Sequence, residues 1–136
     1  LFRSMGRAVV AGIVGIVAAV IVIMALEFAG HALFPPPEGI DPTDPKAMRD
    51  IIDKLPLGAK IAVLVAWFAG TLAGCVAALK ISSNPWPARV VVAFIIGGAI
   101  WSFLNIPHPL WMEAGGIALP VVAWWMAYRL TARTAS

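Results

Sequence analysis

Between Arg7 and Glu27 no residue carries a charge. The stretch that fills the gap, "AVVAGIVGIVAAVIVIMAL", is apolar on every side, and it is long enough at ~1.5 Å per residue to match the ~30 Å hydrocarbon core of a bilayer. A helix that is hydrophobic all round belongs in lipid or in the core of a much larger protein. A chain of 136 residues has no such core to offer.

Three further runs have the same character. The spans read as about 8–28, 58–79, 89–106 and 110–128. Backbone polar groups at that depth find no water, so each run is expected to be an α-helix. Hydrophobic residues make up 61% of the chain and charged residues only 12%, about half the charge of an ordinary soluble domain. The expected fold is therefore an all-α membrane protein, one domain over 1–136, with four transmembrane helices and a short amphipathic helix in the first outer loop. A competing reading makes the first run a signal peptide cut after Ala32. The run is longer than a usual signal core and Glu27 sits badly before a cleavage site, which favours a retained helix.

The charges are segregated. Arg3, Arg7, Lys80, Arg89, Arg129 and Arg133 fall at one set of span ends with no acidic residue among them. Glu27, Glu38, Asp41, Asp44, Asp50, Asp53 and Glu113 fall at the other, together with Lys46, Arg49, Lys54 and Lys60. The positive-only side is expected to be cytoplasmic, which puts Leu1 and Ser136 inside. The basic residues form no patch with interleaved aromatics, so nucleic acid is not an expected partner. Cys75, the single cysteine, permits no disulfide within the chain and no multi-cysteine metal framework. It reads as a small packing residue.

Pro35, Pro36 and Pro37 stiffen the start of the first outer loop. The amphipathic helix is expected over about 44–55, capped by Thr43 or Asp44, with Pro45 in its first turn and Pro56 as its stop. Met48, Ile51, Ile52 and Leu55 share one face at helical spacing. Such a helix covers the bundle or lies at the membrane surface.

Small residues recur every four positions along the second span: Gly58, Ala62, Ala66, Gly70, Gly74 and Ala78. Ala11, Gly15 and Ala19 make a shorter series in the first span, and Ala93 and Gly97, with Gly98 beside them, another in the third. Helices in lipid gain little from hydrophobic burial against one another, so close backbone approach has to hold them together. Trp86, Trp111, Trp124, Trp125 and Tyr128 fall near span ends, as interfacial aromatics do, while Trp67 and Trp101 lie deeper. Pro120, and "EAGG" before it, are expected to bend the fourth helix.

Polar residues gather at one depth. Glu27 and His31 lie near the end of the first span, spaced so that both project from one helix face. His108, in "NIPHPLWMEAGG", sits at the rim, and Glu113 lies about one turn inside the fourth span. Lys60, Ser102 and Asn105 share the layer. Glu27, His31, His108 and Glu113 would suit a divalent Zn, Fe or Mn ion, or proton carriage. A plainer account pairs Lys60 with Glu27 or Glu113 and leaves His108 to cap a helix end.

The segments "LEFAGHALFPPPEGIDPTD", "AWFAGTLAG" and "NIPHPLWME" resemble a group of small four-helix bacterial inner-membrane proteins of uncharacterised activity. The shared pattern is a Glu at the end of the first helix, a "PPPxGxDxxD" loop, a "WxxGxxxG" second helix and an "NxPHPxW" turn, and Glu27, Asn105, His108 and Trp111 fall on it. The resemblance implies a multi-pass protein of the bacterial inner membrane and assigns no chemistry.

Three functions compete. The first is a non-catalytic accessory or self-associating subunit, partnered by lipid and by copies of itself or a larger membrane complex. The second is a small transporter or a metal- or proton-handling protein that uses the Glu/His layer. The third, an intramembrane enzyme, has no serine–histidine pair, HExxH or phosphate loop to support it. The first is favoured, with no enzyme activity and no cofactor demanded by a motif.

Overall fold

The computed structural model describes residues 2–34, 43–44, 46–47, 50, 56–105 and 108–135. All of its regular structure is helical: α1 (Phe2–Leu33), α2 (Leu57–Ile81), α3 (Trp86–Asn105) and α4 (Leu110–Ala135). All four are long and apolar enough to cross a membrane. The chain is a multi-pass membrane protein.

Helix ends run past the limits of the apolar runs. α1 holds 32 residues, about 48 Å at ~1.5 Å per residue, so it overreaches a ~30 Å hydrocarbon core and must tilt or project. Nothing in "FRSMGR" or "AGHAL" breaks a helix, and the next breakers in the sequence are Pro35–Pro37. α2 begins straight after Pro56, whose carbonyl accepts from Ala59 N–H at 3.1 Å. α3 opens on Trp86–Pro87, earlier than Arg89, because proline fits the first turn of a helix. α4 runs unbroken through Pro120 to Ala135. Most of the amphipathic segment over 44–55 lies outside the described residues. Lys46, Ala47 and Asp50 are helical, and Asp44 Oδ1 accepts the Lys46 backbone N–H at 3.0 Å, a side-chain cap of the expected kind.

The helices pack in the perimeter order α1–α2–α4–α3, with α2 and α3 also touching across the short diagonal. α1 and α4 stand at opposite corners, each packed mainly on α2 and α3. The interior is built from small side chains: Ala11, Ala19, Ala66, Cys75, Ala78 and Ala88 are fully buried. Large apolar residues point outward, with Phe28 79%, Leu104 82% and Leu110 81% exposed. Water would not tolerate so much contiguous apolar surface. Lipid does, and it leaves the small residues to set how closely backbones meet.

The α1–α2 seam shows this most clearly. A Cβ added at Gly15 would lie 2.8 Å from the Gly74 carbonyl oxygen, and one at Gly70 would lie 2.8 Å from that of Ala19. One at Gly74 would run into the Gly15 carbonyl. The antiparallel seam continues toward the acidic end, where Gly30 faces Ala62 and Gly58 faces the Phe34 ring. The small series of the second span therefore meets the small series of the first, within one chain. At the basic end Arg7 Nε donates to the Ile81 carbonyl at 2.5 Å, placing a cation on the unsatisfied C-terminus of α2. Asn84 Nδ2 donates to Ser4 Oγ at 3.4 Å and ties the α2–α3 turn to the same stretch of α1.

Two polar side chains of the spans turn back on their own helices. Thr71 Oγ1 donates to the Trp67 carbonyl at 2.7 Å, and Asn105 Nδ2 to the Trp101 carbonyl at 2.7 Å. This satisfies them without a partner helix. Because the obstacle at Gly74 is backbone and cannot swing away, Gly74→Leu should cost about 3 kcal/mol, the upper end for overpacking. Gly6→Ala, where a Cβ meets nothing within 4 Å, should cost less than about 0.5 kcal/mol. Reversible denaturation in mixed micelles measures both.

Candidate functional site

At the acidic end of the bundle a chain of polar and aromatic groups links three helices and the bend. Glu27 sits two turns before the end of α1, part-buried, and its Oε1 accepts the indole N–H of Trp67 on α2 at 3.3 Å. The Trp67 ring packs against Phe103 of α3 at 5.9 Å between centroids. Phe103 meets the His108 imidazole edge-on at 5.0 Å. Ring pairs at these separations and tilts are favourable.

Gly116 of α4 makes room for this stack. A Cβ there would lie 2.6 Å from Phe103 Cζ and 2.9 Å from Trp67 Cζ3. Gly115 faces Leu64 Cδ1, 3.2 Å from where its Cβ would stand. The "EAGG" glycines thus lie within an unbroken helix as seats for α2 and α3 side chains. His108 and Pro109 act the same way. Pro109 offers its carbonyl to Met112 N–H at 3.0 Å and Glu113 N–H at 3.1 Å, starting α4 just where His108 reaches Phe103.

The four residues singled out as a layer separate into distinct settings. Glu27 belongs to Trp67. His31 is exposed on the last turn of α1. His108 packs on Phe103. Glu113 lies in the first turn of α4, where a carboxylate suits the positive end of the helix dipole. Among the described residues, no three His, Cys, Asp or Glu side chains gather closely enough to hold a metal ion. Glu27 and His31 ride on α1 and Glu113 on α4, helices that pack mainly on α2 and α3. Glu27 takes Trp67 as its described partner in place of Lys60.

Trp67, Phe103 and Gly116 are the members of this site that sequence reasoning missed. The signal for Trp67 was present, since a buried indole N–H usually finds an acceptor and Glu27 lies at matching depth on the antiparallel neighbour. Phe103 and Gly116 carry no such mark.

Between α1 and α3, beside Trp67, lies a cavity of about 200 Å³ lined by apolar side chains. It occupies the membrane-spanning part of the bundle and opens sideways. No protein-family model, curated protein or solved structure matches this chain.

The Glu27–Trp67 bond is a polar link between α1 and α2 at this end. Trp67→Phe and Glu27→Gln, alone and together, should show a coupling of about 0.6–1.7 kcal/mol, the range for interhelical hydrogen bonds in membranes. A thermodynamic cycle in mixed micelles reads it. Strict additivity would mean that the two groups do not interact.

Proposed function

We propose that this chain is a non-catalytic subunit of a membrane complex in the bacterial inner membrane, assembling with copies of itself or with a larger partner. The observation that carries this reading is the open face of α3. Gly15, Gly70, Gly74 and Gly116 sit against a neighbouring helix or ring. A Cβ at Gly97 meets nothing within 4 Å, and Ala93 one turn away is exposed as well. A glycine in a helix interior costs about 1 kcal/mol relative to alanine. Gly15, Gly70, Gly74 and Gly116 offset that cost by close contact. Gly97 does so once another helix lies against it, in the small-xxx-small manner of membrane helices.

The charge distribution supports an orientation. Arg7, Lys80, Arg89 and Arg129 share the end where the α2–α3 turn and the last turns of α4 lie, and acidic residues are absent from the sequence there. We assign that end, with Leu1 and Ser136, to the cytoplasm. The resemblance of the "PPPEGIDPTD" and "NIPHPLW" segments to small bacterial inner-membrane proteins agrees with this placement.

Extraction into nanodiscs, followed by mass measurement of single particles, tests the assembly. More than one copy per particle, or one copy with a stoichiometric second protein, is expected. Gly97→Leu should weaken that association at least about tenfold, the equivalent of one overpacked contact. A lone chain of unchanged mass in both forms would contradict the reading. Reporter fusions at Ser136 and Asp44 should report opposite sides of the membrane.

A further inference from the structure

We propose that the side groove between α1 and α3 binds one acyl chain of a phospholipid from the leaflet at the acidic end, with an ammonium-bearing headgroup held at Glu27 and His31. The groove wall combines Ile23 and Met24 of α1 with Phe94 and Gly98 of α3, and Trp67 of α2 forms its floor. A Cβ at Gly98 meets nothing within 4 Å, so the slot is kept open by a missing side chain. Its lining offers water too few polar partners to be a stable hydration site. Exposed apolar residues flank it, among them Ile21 at 61% and Phe94 at 51%, so hydrocarbon is what surrounds its mouth.

The way out of the slot is polar. α1 and α3 run parallel and level: Gly12 faces Pro87 and Gly15 faces Val91. Extending that register brings Glu27 level with Ser102, and His31 close to the level of Asn105. On α1, Glu27 and His31 follow Ile23 and Met24 at helical spacing and so share their face. On α3, Ser102 follows Gly98 one turn on. An apolar slot thus leads along one line to a carboxylate, an imidazole and a hydroxyl.

The length fits one leaflet. From Ile95 to Asn105, the last residue of α3, the axis rises about 15 Å at ~1.5 Å per residue, half of a ~30 Å hydrocarbon core. The slot therefore lies where the far half of an acyl chain rests when its headgroup is at the rim. Charge selects the headgroup. Glu27 gives Trp67 one of several acceptor sites, and a carboxylate retains capacity for an ammonium donor. A helix of a second copy, about 10 Å across, is too broad for a cavity of about 200 Å³. The groove lies on a different face of α3 from Ala93 and Gly97, so this inference stands apart from the proposed assembly.

Trp67 fluorescence tests it. In a variant whose other tryptophans are phenylalanine, reconstituted with lipids brominated near the chain end, Trp67 should be quenched. Ammonium-headgroup bromolipid should quench about threefold more effectively than glycerol-headgroup bromolipid, the scale of a partly exposed ion pair. Glu27→Gln should abolish that preference, and Gly98→Leu should remove most of the quenching with either lipid. Native mass spectrometry of the otherwise unsubstituted chain gives an independent reading: one ammonium-headgroup lipid retained, and lost in Gly98→Leu. Equal quenching by both headgroups, quenching unaffected by Gly98→Leu, or a cross-link from the slot to a second copy would each overturn the proposal.

Discussion

The contact between Gly15 and Gly74 sets the geometry of the bundle. Each glycine presents its backbone to the other's carbonyl at a distance that admits no Cβ. In water, two helices can be held apart by large side chains and still gain from burial. In lipid that gain is largely gone, and what remains is packing, which grows as backbones approach. Gly70 and Ala19 extend the same seam toward the acidic end, and Val91 of α3 packs into it beside Gly15 and Gly74. The position of three helices therefore follows from one line of small residues.

The acidic-end site depends on that seam. With α1 and α2 locked in antiparallel register, Glu27 and Trp67 arrive at the same depth and bond. Trp67 then carries the arrangement across the bundle to Phe103, and Phe103 to His108. Gly116 leaves the space the two rings occupy. The histidine at the bend has a packing partner on α3, and the carboxylate that follows it starts a helix.

Much of the architecture was legible in the residues. Charge-free runs such as 8–26 mark spans because lipid excludes charge, and the glycine series marks close packing because nothing else suits its spacing. Helix ends were read short, since apolarity reports where lipid ends and not where hydrogen bonding does: α1 continues through His31 to Leu33. The lateral order of the helices could not be read. Depth along a span follows from counting residues, but which helices are neighbours depends on side-chain fit over long sequence separations. Glu27, His31, His108 and Glu113 can be counted to one depth, but which of them lie side by side cannot be counted. Pairing of Glu27 with Lys60 was a reasonable electrostatic expectation; the nearer donor is an indole two helical turns further along α2.

Solid-state NMR of the chain in lipid bilayers, with carbon labels at the glycines, addresses the central claim most directly. The account predicts through-space correlations between the Gly15 and Gly74 backbones, and correlations from Ile21 and Phe94 side chains to lipid methylenes. Gly15 and Gly74 signals that correlate with lipid in place of each other, or Ile21 and Phe94 side chains in contact with water, would contradict it.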